Sequence, residues 1–135
     1  MILGIGIDLV EVARVRKSHE KFGNRFLDRI LHKSEVDYCL SHKDPGPFLA
    51  ARFAAKEAIS KAFGTGIGAK LGWKDMEIAH KPSGEPYVVL HDNGKKLLEE
   101  RQAHLLLVSL THTQEHAAAV AILERTAPNE AVASQ

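Results

Sequence analysis

The run Arg52-Phe53-Ala54-Ala55-Lys56-Glu57-Ala58-Ile59-Ser60-Lys61-Ala62-Phe63-Gly64 constrains this chain more than any other segment. Its alanines favour helix by backbone propensity alone. Phe53, Ile59 and Phe63 supply much of an apolar side, and the glycine-rich Gly64-Thr65-Gly66-Ile67-Gly68 ends the run. One acid, Glu57, stands among three bases, Arg52, Lys56 and Lys61. Glu57 and Lys61 are one helical turn apart and share a face. An acid so placed can hold a divalent cation, and a base beside it can hold phosphate. The same spacing also describes an ordinary solvated ion pair, and this helix alone does not separate the two readings.

A length of 135 residues fits one domain, spanning 1–125. A polar, Ala-rich stretch, 126–135, has no periodicity and reads as a disordered tail. A small domain of this kind gains stability by oligomerising. The net charge of +1 argues against a nucleic-acid binder. The distribution says more. From Val12 to Lys33 seven bases (Arg14, Arg16, Lys17, Lys21, Arg25, Arg29 and Lys33) face only Glu20 and Asp28. Such a local basic surface suits an acidic partner, or is simply a basic solvated face. The single cysteine, Cys39, cannot form an intramolecular disulfide, which fits a reducing cytoplasm. It has no catalytic context. No secretory signal and no membrane-spanning stretch is evident.

Ile2–Ile7 reads as a short buried strand whose Gly4 and Gly6 let another backbone approach. Leu9–Phe22 fits an amphipathic helix, with Asp8 and Glu11 at capping-box spacing. Arg25–Ile30 and Ser34–Leu40 continue as short helices, the second capped by Ser34. His42–Pro47 is a loop and Phe48–Phe63 the long helix. Asp75–His80 and Tyr87–Leu90 form a hairpin around a Pro/Gly turn. A helix from Asp92 or Asn93 runs to Arg101. His104–Leu110 and Ala117–Leu123 are apolar strands joined by Thr111–His116. This order predicts an α+β fold, a mostly antiparallel sheet with packed helices.

Asp8, at the end of an apolar strand, is either a rigidly placed ligand or the N-cap of the next helix. With Glu57 it could make a two-carboxylate magnesium site. The Gly64–Gly68 turn is neither a Walker loop nor a dinucleotide fingerprint. It can bring N–H groups to an anion or merely cap the helix. His112 to His116 spells His-Thr-Gln-Glu-His, a reversed zinc-protease string. That chemistry needs both histidines on one helix face, and these fall in a hairpin turn. His112 alone, beside Ser109, Thr111 and Thr113, suits polar contact with a ligand. Trp73, Phe48 and Phe26 read as packing residues.

Four ordered segments together resemble the bacterial-type holo-[acyl-carrier-protein] synthases of the phosphopantetheinyl transferase superfamily. They are Gly4-Ile5-Gly6-Ile7-Asp8-Leu9-Val10-Glu11, the Arg52–Gly66 run, Gly84-Glu85-Pro86 and Ser109-Leu110-Thr111-His112-Thr113. The resemblance covers Met1 to Arg125. It implies a 4′-phosphopantetheinyl transferase fold, a homotrimer with active sites between subunits, and a cytoplasmic enzyme of fatty acid biosynthesis. The implied reaction moves the 4′-phosphopantetheine of coenzyme A to a serine of an acidic apo acyl carrier protein, releasing adenosine 3′,5′-bisphosphate. Asp8 and Glu57 would hold Mg2+, and Lys61 would steady phosphate charge beside the backbone of Gly64, Thr65 and Gly66. Arg52 and His112 would contact phosphates, and Pro82 and Pro86 would shape the nucleotide pocket. Arg14, Lys17, Lys21 and Arg25 would dock the carrier. The competing readings are a non-catalytic module for acidic helical partners and another magnesium-dependent nucleotide enzyme.

Overall fold

The computed structural model describes residues 1–127. The elements run β1 (Ile2–Glu11), α1 (Val12–Phe22), α2 (Asn24–Ile30), α3 (Lys33–Leu40), α4 (Gly46–Phe63), a 3-10 turn (Trp73–Asp75), β2 (Met76–His80), β3 (Pro86–Leu90), α5 (Asn93–Glu100), β4 (Leu105–His112) and β5 (His116–Glu124). One sheet has the order β1-β5-β4 and the other is the β2-β3 hairpin, all pairs antiparallel. The α+β expectation holds.

Several boundaries move. The first strand does not stop before Asp8. Leu9, Val10 and Glu11 pair with Ala118, Ala117 and His116, so β5 draws them into the sheet. The Val12 N–H then donates to the Glu115 carbonyl at 2.9 Å, and α1 begins there. The Asp8–Glu11 capping box therefore does not form, and Glu11 holds the extended position before the helix. Ser34 does not cap α3 either. It lies inside the helix and donates to Glu77 Oε2 at 2.7 Å, while Glu35 accepts the His32 N–H at 2.9 Å. Helix α4 starts earlier than Phe48 because Pro47 is compatible with a first turn, where its missing N–H costs nothing. Strands β4 and β5 reach His112 and His116, which shortens the predicted connection to 113–115. Of the predicted tail, 128–135 lie outside the described residues, and the Thr126 N–H donates to His104 Nδ1 at 3.1 Å.

Small residues set the layer spacing. Gly4, Gly6, Ala119 and Ala121 share the sheet face beneath α4, which answers with Ala54, Ala55, Ala58 and Ala62. A Cβ on Gly4 would sit 1.9 Å from the Ala62 carbonyl oxygen, and one on Gly6 1.8 Å from that of Ala58. Helix and strand are in backbone contact, so β1 tolerates no side chain at either glycine. The alternate positions Ile5, Ile7 and Leu9 point away and remain exposed, as does Leu107 on β4.

A buried ion pair ties the helices to the hairpin. Lys56 Nζ lies 2.8 Å from Glu35 Oε1, and both side chains are fully buried. The ammonium also donates to the Ile30 carbonyl at 2.7 Å and the Trp73 carbonyl at 3.2 Å. Glu35 further accepts the Ile78 N–H at 3.1 Å. Burial pushes the Lys56 ammonium below its ordinary pKa, with Glu35 opposing that shift. Removing one partner of such a pair strands a charge, so Lys56→Met is expected to cost about 3–5 kcal/mol in urea unfolding. An apolar replacement of both partners should not restore the loss. The backbone groups of Ile30 and Ile78 would stay buried and unpaired, and the part-buried ones of Trp73 and His32 would lose their partners.

Candidate active site

Asp8 follows Gly4 and Gly6 on the strand face turned to α4, because side chains alternate along a strand. Glycine contact carries the strand against the helix, and Asp8 meets the next exposed turn. Lys61 Nζ donates to Asp8 Oδ1 and to the Ile7 carbonyl, each at 3.0 Å. The ion pair is therefore between helix and strand, with Asp8 the more enclosed partner. Glu57 is half-buried on the same helix. Burial, then the charge of Asp8, push its carboxyl above the ordinary glutamate range, while Lys61 pulls it back. Asp8, Glu57 and Lys61 thus form one electrostatic unit, in which Lys61 offsets the burial of Glu57 only in part.

The donor set suits a hard divalent ion. It offers carboxylate oxygen alone, from two rigid elements, and magnesium takes one or two protein carboxylates with substrate oxygens and water completing its shell. The raised Glu57 carboxyl reflects burial first and the charge of Asp8 second, and a cation between the two acids would offset both.

The glycine turn is built as a helix terminus. Gly64 is left-handed at φ 79°, with its N–H donating to Lys61, and the N–H groups of Thr65 and Gly66 both donate to the Ser60 carbonyl. These N–H groups are committed to the helix end. What the turn offers a ligand is open space, since nothing lies within 4 Å of where a Cβ on Gly64 or Gly66 would be.

Arg52 points elsewhere on α4. Its guanidinium is buried, lies 4.2 Å from the Tyr38 ring centre, and approaches His80 Nδ1 at 3.2 Å, with Nε unpaired. Rings continue from there. Tyr38 stacks on His80 at 4.6 Å, His42 stacks on Phe48 at 3.5 Å, and Phe48 meets His112 edge-on at 4.8 Å. Arg52 and His112 are therefore joined through Tyr38 and Phe48. An open cleft of about 450 Å³ lies here, lined by His42, Lys43, Asp44, Phe48, His112 and Thr113 among others. Pro86 pairs with His80 across the hairpin, and Pro82 is exposed at its tip. Tyr38, His42 and Lys43 escaped the sequence reading, and Phe48, read there as a packing residue, also lines the cleft. They come from α3, a loop and α4, and no spacing rule joins them.

His112 and His116 flank the β4–β5 turn from opposite strands, not from one helix face. Cys39 is buried, and burial pushes its thiol up to about 11, which leaves it inert. Arg14, Lys17 and Lys21 are exposed along α1, and Arg25 is exposed on α2. Arg16 does not belong with them. It binds Asp44 in a two-pronged ion pair at 2.6 and 2.9 Å.

The family described as the 4′-phosphopantetheinyl transferase superfamily matches residues 4–121. A holo-[acyl-carrier-protein] synthase of Chlamydia muridarum is 46% identical over 93% of this chain and 97% of its own length. One from Koribacter versatilis is 46% identical over 92% and 99%. Among solved structures, the Helicobacter pylori holo-[acyl-carrier-protein] synthase in complex with coenzyme A has a TM-score of 0.80 at 36% identity, covering 89% of this chain and 99% of that one. The Neisseria meningitidis enzyme has a TM-score of 0.86 at 34% identity, covering 93% and 100%. The match runs through Asp8, Glu57 and Lys61 and takes in nearly every element of the fold, so this chain belongs to the 4′-phosphopantetheinyl transferase superfamily.

Proposed function

We propose that this chain is a holo-[acyl-carrier-protein] synthase, an enzyme that transfers 4′-phosphopantetheine from coenzyme A to a serine of apo acyl carrier protein. The observation that carries the reading is the convergence of Asp8 and Lys61, with Glu57 coupled to both, where a glycine strand meets α4. The serine hydroxyl gives its proton to Glu57 or to a water held by the carboxylates, and its oxygen forms a bond to the phosphorus that bears pantetheine. The bond from that phosphorus to the bridging oxygen breaks, and adenosine 3′,5′-bisphosphate leaves with the electron pair. Such a reaction requires positioning and charge neutralisation more than covalent help. Asp8 and Glu57 would hold magnesium, which would supply Lewis-acid neutralisation of phosphate charge. Lys61 is half-exposed and reaches its partners through a flexible stem, so its ammonium can turn from Asp8 to a phosphate oxygen.

The nucleotide end of coenzyme A fits the cleft lined by Lys43, Phe48 and His112. Arg52 and the hairpin that bears Pro82 and Pro86 lie outside that lining and connect to it through Tyr38, which packs on Arg52, His80 and Phe48. Gly64, Thr65 and Gly66 border the pyrophosphate by leaving room for it. An acidic carrier protein fits the exposed bases Arg14, Lys17, Lys21 and Arg25. The outward stripe of Ile5, Ile7, Leu9 and Leu107 supports assembly into a homotrimer, with a second copy covering the sheet face. No helix is long and apolar enough to cross a membrane. The unpaired Cys39 supports a cytoplasmic setting, where the enzyme would serve fatty acid biosynthesis.

One assay tests the reading: incubate the chain with magnesium, coenzyme A and apo carrier protein, and weigh the carrier. A gain of one phosphopantetheine is expected, and a carrier bound but unmodified would favour a non-catalytic module. Asp8→Ala and Glu57→Ala should each lower transfer by ~10²-fold or more while leaving the far-ultraviolet circular dichroism unchanged. Wild-type turnover in either would remove that residue from the site. Arg14→Glu should raise the KM for carrier about tenfold, a cost of about 1.4 kcal/mol, and leave the KM for coenzyme A nearly unchanged.

The raised Glu57 carboxyl has a stability consequence. Folding disfavours its ionised form, so in the metal-free protein it is a liability above its folded pKa. Glu57→Gln is expected to raise the Tm of the metal-free chain at pH 7. The gain should shrink as pH falls through that raised pKa, where the native glutamate is itself protonated. A Tm difference that stays constant with pH would contradict this assignment.

A further inference from the structure

A second group of metal-ligating side chains lies apart from Asp8 and Glu57. His32 directly precedes α3, Glu77 is on β2, and His91 directly follows β3. One potential ligand atom from each lies within 4.8 Å of the other two. The rings of His32 and His91 are 4.6 Å apart, inclined at 35°. His91 Nε2 meets Glu77 Oε1 at 2.8 Å, and the other Glu77 oxygen accepts the Ser34 hydroxyl at 2.7 Å. His32 Nε2 lies 2.8 Å from the Lys74 carbonyl. A carbonyl only accepts, so Nε2 carries the proton, which leaves Nδ1 of the neutral ring with a lone pair. A backbone carbonyl holding one imidazole nitrogen while the other is free is a common outer-shell arrangement for a metal-bound histidine.

The backbone beneath these side chains is fixed. The His32 N–H donates to one oxygen of Glu35, and the N–H of Ile78, next to Glu77, donates to the other. The His91 N–H donates to the Asp75 carbonyl at 2.9 Å. Lys56 binds the Trp73 carbonyl, next to the Lys74 carbonyl that orients His32. The buried ion pair thus holds two of the three ligand-bearing segments, and the 3-10 turn holds the third. Ligands mounted on restrained backbone lose little freedom when they close on an ion.

We propose that His32, Glu77 and His91 form a binding site for a divalent transition-metal ion of the zinc class, which clamps the start of α3 to the β2–β3 hairpin. Two imidazoles and one carboxylate match that class and do not suit magnesium, which takes oxygen ligands. Three protein ligands leave a fourth position for water. All three side chains are partly exposed, so an ion can enter from solvent.

The test uses the full-length, tag-free chain stripped of metal and titrated with zinc(II) alone. One zinc per chain is expected to bind with micromolar affinity and to raise the Tm by several degrees. The combined His32→Ala and His91→Ala variant should bind zinc about 100-fold more weakly. The combined Asp8→Asn and Glu57→Gln variant should bind it as the wild type does, which separates this site from the proposed magnesium site. Equal affinity in the histidine variant, or loss of binding in the carboxylate variant, would overturn the proposal. X-ray absorption of the zinc-loaded wild type gives an answer that does not depend on any variant folding. Scattering from two imidazoles supports the site, and its absence refutes it.

Discussion

Lys56 carries its ammonium into the interior and meets Glu35 there, and much of the molecule is arranged around that contact. The pair draws in the Ile30 carbonyl at the end of α2, the His32 N–H before α3, the Trp73 carbonyl and the Ile78 N–H on β2. Desolvating two charges costs several kcal/mol per ion, so the pair stabilises only because nearly every donor and acceptor on it is used. Its larger effect is geometric. Successive residues of a helix point about 100° apart. Once Lys56 is fixed inward, Glu57 must emerge to one side, and Lys61 one turn further on lies beside it. The buried pair sets the rotation of α4, and the glycines of β1 set its distance from the sheet. Asp8 and Lys61 meet because both constraints hold at once.

Much of this was legible in the sequence where the signal is local. The long helix, its glycine stop, the hairpin and the two late apolar strands follow from periodicity and turn chemistry. The Gly-x-Gly of the first strand foretold close backbone contact. Sequence reasoning lost the strand at Asp8 because β5, more than a hundred residues away, decides where β1 ends. It assigned the α3 cap to Ser34 because that residue type usually caps, whereas Glu35 and its distant partners fix the helix start. The role of Lys56 was invisible for the same reason. On paper it is one of three bases in a helix, and only tertiary structure shows that it is the one paired with a buried acid. Asp8, Glu57 and Lys61 could be nominated from their motifs, but their joining needed the register of β1 against α4. The ring cluster around Arg52 had no local signal at all.

Charge is distributed by task. The chain is nearly neutral, yet positive charge collects on exposed faces of α1 and α2 and negative charge collects where β1 meets α4. Arg16 shows how the surface is divided. Its guanidinium is committed to Asp44 and packs over Gly46, where even a Cβ would come within 2.6 Å. It therefore fastens α1 to the approach to α4, and its neighbours Arg14 and Lys17 are left to act at longer range. The negative end behaves differently. Two acids share one lysine, and burial of Glu57, with the charge of Asp8 added to it, makes its carboxyl hold its proton more tightly than usual.

Strand β1 lies against β5, and the two ends of the described chain are hydrogen-bonded to each other: the Met1 amine to the Arg125 carbonyl, and the Arg125 N–H to the Met1 carbonyl. On the ribosome this means that β1 waits for β5. Asp8 emerges early, but the strand that holds it in register is synthesised more than a hundred residues later, several seconds on at about 5–20 residues per second. Until then the apolar start of the chain has no sheet to join, and closing so long a loop makes this a late, slow step. The nascent chain therefore cannot hold Asp8 against Lys61 before β5 has emerged, and the candidate site forms only once that strand is in place.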